Sequence, residues 1–172
     1  ARVEMPLDFS SIPVSSGLGR ALRAPLKLIP DGTVVPILQG PLRGARWIVG
    51  SSTAGCWLGS YELPKVRAFV TTIQSGMTVF DIGAHAGYYT LIASKLVGGS
   101  GHVVAFEPAP RNLRYLRRHL SLNHVSNVTV FEVAVSDRAG VGRFDVGAES
   151  SLGRLDPTGT LDVRTTTLDE LV

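Results

Sequence analysis

The amino-acid sequence predicts an α/β fold with a mostly parallel sheet and flanking helices. Between Met77 and Val135, three apolar segments typical of strands alternate with two segments of helical pattern. Strands separated by single helices pair in parallel through right-handed crossovers. With 44% hydrophobic and 18% charged residues in a chain of 172, the composition is that of a folded globular domain.

Residues 1–76 are predicted to lead into that sheet. The first 32 residues are rich in proline, serine and glycine, and we predict one helical turn around 18–22. Two short apolar runs flank the turn QGPLRG and predict a β-hairpin, in which Pro36 favours an edge strand. The glycine- and serine-rich segment 50–62 is predicted to be a loop. A helix that ends before Gly76 is then predicted by the spacing of Leu63, Val66, Phe69, Val70 and Ile73.

Residues 77–172 are predicted to form the α/β domain itself. Its three parallel strands are predicted at 77–82, 101–107 and 127–135, with helices at 89–97 and 110–123. The first two strands are nearly all apolar, which is typical of strands covered on both faces.

The remainder of the domain departs from this alternation. Segments 140–146 and 161–168 are predicted to be two further strands joined by a Gly/Ser loop, and LDELV is predicted to begin a short helix. A sheet built from these strands has an exposed edge, which is consistent with a homodimer or with further strands.

The segment DIGAHAG places an acid and two glycines where the first parallel strand becomes a helix. Gly83 and Gly87 allow a tight turn and let a ligand lie against the backbone. The fingerprint of dinucleotide sites is GxGxxG, whereas the spacing here is DxGxxxG. Asp81 would repel a pyrophosphate and would suit a ligand with an ammonium group. A tight turn without a ligand is the alternative.

Two further strand ends carry residues suited to a nucleoside. Glu107 ends the second strand, where an acid binds ribose hydroxyls in open parallel sheets. Glu132, Ala134 and Asp137 lie at the end of the third strand and would border an adenine ring. Together these residues predict a nucleoside ligand with a cationic end.

Other features exclude several classes of protein. The single Cys56 excludes an internal disulfide and a cysteine-built metal site, and the histidines lack metal-ligand spacing, so no metal is expected. No apolar run reaches membrane-spanning length and no signal-peptide pattern is present, so a cytoplasmic protein without membrane contact is expected. The net charge of +3 is only mildly basic. The four arginines of 111–118 are interpreted as a solvated helix face, so nucleic acid is not favoured as a partner.

Four segments in order, VFDIGAHAGYYT, VVAFEPAPRNLRYLRRHL, LNHVSNVTVFEVAVSD and TTTLDEL, resemble motifs of the FkbM family. The upstream GPLRGARWIVGSSTAGCWLGSYE is similar to the lead-in of some members, so the resemblance covers about residues 38–172. The family consists of Rossmann-like class I methyltransferases that use S-adenosylmethionine and release S-adenosylhomocysteine. The resemblance therefore implies an enzyme that methylates an oxygen of a small molecule or sugar.

The resemblance also implies cofactor-binding roles for particular residues. The methionine part is expected at the loop and the helix that follows it, the ribose at the second strand end, and the adenine at the third. The residues concerned are Glu62, Asp81, Gly83, Ala84, His85, Gly87, Tyr88, Tyr89, Thr90, Glu107, Pro108, Asn112, Glu132, Ala134, Val135 and Asp137. His85 occupies a position where many members have asparagine, and its titration would make binding depend on pH near neutrality.

The catalytic base is not identified by the sequence, and His85 and Asp137 are its candidates. Family members continue beyond TTTLDEL into a strand reading like DLIKIDVEG, so we expect this chain to be incomplete at its C-terminus and inactive alone. Alternatives are an RNA or protein methyltransferase and a nucleoside-binding module without turnover. A nicotinamide-dependent dehydrogenase is disfavoured by the glycine spacing.

Overall fold

The computed structural model describes residues 24–147 and 153–170. By its contacts the chain divides into two compact units, Ala1–Thr72 and Ile73–Val172. The helical turn predicted at 18–22 lies outside the described residues. No helix within the described ranges is long and apolar enough to cross a membrane.

The first unit contains the predicted hairpin. Strands β1 (Val34–Pro36) and β2 (Arg46–Ile48) pair antiparallel, and a 3-10 helix, Ala24–Leu28, precedes them. Trp47 and Ile48 are fully buried and anchor β2 in the unit's core. The hairpin prediction is therefore confirmed.

Two helices follow the hairpin. The prediction of a loop over residues 50–62 is wrong for the centre of this segment, where α1 (Ala54–Leu58) forms. Cys56 and Trp57 of α1 are buried, so packing stabilises a helical turn that its composition does not favour. The next helix, α2 (Leu63–Thr72), confirms the predicted amphipathic helix and buries Leu63 and Val66.

The second unit begins with the predicted parallel sheet. Strands β3 (Thr78–Ile82), β4 (His102–Phe106) and β5 (Val128–Phe131) pair in parallel in that order. The crossovers contain α3 (Tyr88–Val97) and α4 (Pro110–Leu122). The leucines of α4 at 113, 116 and 120 are buried, whereas all its arginines are exposed, so burial of one face stabilises this helix.

The expectation that the first two strands are covered on both faces is wrong for β3. The central strand β4 is buried, but β3 lies at the edge of the sheet. Phe80 and Ile82 are 39% and 53% exposed. Among the described residues nothing pairs with this edge, so the apolar sequence of β3 is not matched by burial.

The third predicted strand, 127–135, is divided between two sheets. After β5 the chain leaves the first sheet, and β6 (Ala134–Val135) joins a second sheet with β7 (Gly140–Asp145), β8 (Arg154–Leu155) and β9 (Leu161–Thr166). The order of this sheet is β6-β9-β7-β8. Residues 127–135 contain no glycine or proline, so the sequence carries no signal for the break.

The second sheet confirms the two predicted late strands and covers the end of the first sheet. Its core consists of Ala134, Phe144 and Val163, packed with Ala109 from the start of α4. The prediction of a helix that begins at Leu168 is wrong for residues 168–170, which form a bend and a turn. The last two residues lie outside the described part of the chain.

Candidate functional site

A cavity of about 510 Å³ lies at the carboxyl ends of β3 and β4 and is closed on one side by the second sheet. This volume is in the range of small-molecule sites. Residues from both sheets line it: Ile82, Gly83, His85, Phe106, Glu107, Pro108, Asn112, Val133, Ala134, Val135, Phe144, Gly153, Arg154 and Leu155. The carboxyl ends of parallel strands are where ligands of open α/β sheets bind.

Glu107 is a buried polar group of the cavity, with only 4% of its surface exposed. Its Oε2 accepts a hydrogen bond from the backbone N–H of His85 at 2.8 Å. Its Oε1 accepts from the Ala109 N–H at 2.8 Å and from Nδ2 of Asn112 at 3.3 Å. Burial raises the pKa of Glu107, and these three bonds oppose the rise. All three partners are N–H donors, so the arrangement suits the ionised carboxylate.

These bonds limit how Glu107 can bind a ribose. A carboxylate has about four acceptor positions, and the three bonds use most of them. One ribose hydroxyl therefore fits without loss of a present bond. A second one requires release of Asn112, which makes the longest of the three bonds.

The glycine loop is fixed to the neighbouring strand by its own amides. The N–H groups of Gly83 and Ala84 both donate to the carbonyl of Phe106 at 2.9 Å. Because the next amide, that of His85, binds Glu107, three successive amides are already engaged. A pyrophosphate site requires such amides to face the ligand, so this geometry disfavours a dinucleotide.

Asp81 is the penultimate residue of β3, next to the loop, and is held by α3. The Thr90 hydroxyl donates to Oδ2 of Asp81 at 2.5 Å, and Thr90 is fully buried. Burial raises the pKa of Asp81, while the Thr90 bond opposes that rise. The bond uses one of the two carboxylate oxygens and orients the group.

We expect Thr90→Val to lower the free energy of unfolding by about 2 kcal/mol, because a charged acceptor loses its donor. For S-adenosylhomocysteine, the ligand that the family resemblance implies, we expect an affinity about 10-fold lower. Valine keeps the shape of the side chain, and Thr90→Ser keeps the hydroxyl as the control. Calorimetric titration and urea unfolding of both variants provide the measurements. Equal affinity of Thr90→Val and the wild type would contradict the orienting role of Thr90.

The structure brings together about half of the cofactor-binding residues expected from the sequence. Those that line the cavity are Gly83, His85, Glu107, Pro108, Asn112, Ala134 and Val135. A second group, found in the loop or its flanking elements and not in the cavity lining, comprises Asp81, Ala84, Gly87, Tyr88, Tyr89 and Thr90.

The remaining three expected residues are not among those that line the cavity. Glu132 is exposed and forms an ion pair with Arg117 of α4. Asp137 is exposed and accepts a hydrogen bond from the Ser136 hydroxyl at 3.0 Å. Glu62 belongs to the first unit and pairs with Lys65 at 2.5 Å.

The part of the cavity wall that β7 and β8 of the second sheet form was not predicted from the sequence. Phe144 and Leu155 provide apolar surface, and Arg154 is the cation of the lining. Arg154 donates to Oδ2 of Asp156 from both Nε and Nη2 at 3.2 Å. The sequence of β7, GVGRFD, has no regular apolar alternation, so it indicates neither that Phe144 is buried nor that it borders a cavity.

His85 combines a place in the cavity with an unusual backbone. Its φ of +52° lies in the left-handed region, which non-glycine residues seldom adopt. Burial, and then the positive charge of Arg111, lower the pKa of His85. Its titration therefore falls at lower pH than the sequence suggested, and the neutral form, which can accept a proton, dominates at pH 7.

Metal ligands do not gather in the described ranges, where no group of three or more His, Cys, Asp or Glu side chains could hold an ion. The groups that the cavity offers to a ligand are one buried carboxylate, amide groups, the imidazole of His85, the guanidinium of Arg154 and apolar walls.

The parallel sheet, the glycine loop after its first strand and the acid after its second define a Rossmann-like domain of the class I methyltransferase fold. A family model, the methyltransferase FkbM domain, matches residues 81–172, more than half of the chain. The chain belongs to this family.

Sequence similarity extends to other methyltransferases. Protein-L-isoaspartate O-methyltransferase of Methanothrix thermoacetophila is 30% identical over 45% of this chain and 39% of its own length. Ribosomal RNA large subunit methyltransferase E of Acinetobacter baumannii is 41% identical over 30% of this chain and 24% of its own length. The solved structure of Trm5b from Pyrococcus abyssi is 24% identical, covers 55% of this chain and 29% of that one, and has a TM-score of 0.41. The match thus spans well under half of the length of each of these relatives.

Proposed function

We propose that this chain is the cofactor-binding part of a methyltransferase that uses S-adenosylmethionine. The observation that carries the proposal is Glu107, a buried carboxylate held by three N–H donors at the wall of a cavity of about 510 Å³. Membership in the FkbM methyltransferase family supports the same ligand.

The residues present fit this cofactor. A Cβ added to Gly83 would meet nothing within 4 Å, so the loop leaves open space on its cavity side. Glu107 would bind the ribose, and Ala134, Val135 and Phe144 would pack against the adenine. Asp81, oriented by Thr90, would attract the ammonium group. When bound, the cofactor supplies an electrophilic methyl group on a sulfonium.

The protein's contribution to the transfer is to position the acceptor, to exclude water and to take up a proton. Of the two candidate bases, His85 lines the cavity, whereas Asp137 is exposed outside the lining. The lowered pKa of His85 keeps its imidazole neutral and able to accept a proton at pH 7. These observations support His85 as the base.

For the acceptor we propose a small-molecule or sugar hydroxyl, as the resemblance to the FkbM family implies. The names of the relatives specify protein and ribosomal RNA methyltransferases, so a macromolecular acceptor is the alternative. Binding of RNA whose affinity falls steeply with salt would favour that alternative.

Calorimetric titration of the chain with S-adenosylhomocysteine, methylthioadenosine and reduced nicotinamide cofactor tests the proposal. We expect saturable binding of the first two and none of the third. Asp81→Asn is expected to weaken S-adenosylhomocysteine binding at least about 10-fold. Methylthioadenosine lacks the ammonium group, so its affinity is expected to change less than about 3-fold. Absence of S-adenosylhomocysteine binding by a folded chain would overturn the proposal.

A further inference from the structure

We propose that His119 is a positioning residue that holds the loop 83–87 in its ligand-binding conformation. His119 lies in α4 and does not touch the cavity. The inference rests on the proposed function, because the ligand whose affinity it predicts is the cofactor product S-adenosylhomocysteine.

The contact that carries the inference is a hydrogen bond between α4 and the loop. Nδ1 of His119 lies 2.7 Å from the carbonyl oxygen of Ala86. Both residues are buried, with 0% and 1% of their surfaces exposed. A carbonyl oxygen can only accept, so Nδ1 carries the proton and donates. A buried carbonyl that loses its donor costs about 1 to 3 kcal/mol.

The position of Ala86 explains why this bond can affect the cavity. Ala86 lies between His85, which lines the cavity, and Gly87. The amide of His85 binds Glu107, while Leu116 of α4 packs where a side chain of Gly87 would be. Residues 85–87 are therefore held by three contacts, of which those from His119 and Leu116 come from α4.

The surroundings of His119 keep its imidazole neutral. The ring stacks on Tyr115, with 6.4 Å between the ring centroids. Burial lowers the pKa of His119 to about 4; the bond to Ala86 opposes this shift and the charge of Arg118 adds to it. The side chain is consequently neutral at pH 7.

Two variants separate the hydrogen bond from the volume of the ring. His119→Asn places an amide nitrogen the same number of bonds from the backbone as Nδ1, so it can still donate to Ala86. His119→Leu has a similar branch without a donor. We expect His119→Leu to bind S-adenosylhomocysteine at least about 10-fold more weakly than the wild type, and His119→Asn to remain within about 3-fold.

Ser94→Ala is the control for a loss of stability alone. The Ser94 hydroxyl donates to Oδ1 of Asn127 at 2.6 Å, in the same unit but away from the loop. This variant is expected to lower the free energy of unfolding without a change in affinity. Calorimetry is performed where urea unfolding shows each variant to be folded, and His119→Gln, whose amide is one bond further out, replaces His119→Leu if the latter does not fold.

Hydrogen exchange of the His85 amide in the ligand-free protein provides a readout that does not depend on the cofactor. We expect faster exchange in His119→Leu than in His119→Asn and in Ser94→Ala. Equal affinity and equal exchange in the Leu and Asn variants would overturn the role of His119. If the wild type does not bind S-adenosylhomocysteine, the proposed function fails, and the exchange rates still decide whether His119 holds the loop.

Discussion

Replacing Glu107 by glutamine is expected to lower the affinity for S-adenosylhomocysteine at least about 100-fold. Both oxygens of Glu107 accept bonds from N–H donors. An amide group turns one of these acceptors into a donor that faces another donor. The variant therefore loses a contact to the loop or to the start of α4, in addition to the negative charge that would receive a ribose hydroxyl. Calorimetric titration measures the loss.

The effect on stability is expected to be similar in free energy to the effect on binding, since a 100-fold loss of affinity corresponds to about 2.8 kcal/mol. Loss of hydrogen bonds to a buried charged group lowers the free energy of unfolding by about 2 to 3 kcal/mol, which urea unfolding reports. Asp162→Asn is the matched control, because Asp162 is 69% exposed in its ion pair with Arg143. We expect that control to leave both quantities nearly unchanged. A folded Glu107→Gln variant with affinity within 3-fold of the wild type would show that the ligand does not contact Glu107.

Gly87→Ala is the second substitution for which a large effect is expected. Gly87 has a φ of +91°, which costs an alanine about 1 to 2 kcal/mol. Its added Cβ would also lie 2.5 Å from Cδ1 of Leu116, a fully buried residue of α4. Together with overpacking of about 1 to 3 kcal/mol, the free energy of unfolding should fall by about 2 to 5 kcal/mol.

Gly83→Ala provides a comparison within the same loop. Gly83 has a similar φ of +79°, but a Cβ there meets nothing within 4 Å. Its loss of stability should thus stay near 1 to 2 kcal/mol. Because Gly83 lines the cavity, we expect the added methyl group to weaken ligand binding. Urea unfolding combined with calorimetry separates the two variants. A Gly87→Ala protein as stable as Gly83→Ala would contradict the tight packing of the loop on α4.

Much of the site could be predicted because its chemistry is local in the sequence. The loop follows β3 directly and Glu107 follows β4 directly, and parallel strands bring their carboxyl ends to one edge. Residue type and place in the strand pattern were therefore enough to select Gly83 and Glu107. The same reasoning selected Glu132, which is exposed, pairs with Arg117 and is not in the cavity lining. The direction of a side chain near a strand break is not a local property.

What the sequence by itself determined is the alternation of strands and helices, the parallel first sheet and the residues at its strand ends. These follow from hydrophobic period, glycine positions and chain connectivity, all of which act over short stretches. Only the tertiary structure decided that β6 leaves the first sheet, that Phe144 and Arg154 close the cavity, and that His119 reaches the loop. Each of these depends on contacts between residues more than 20 positions apart, and such packing leaves no periodic trace in the sequence.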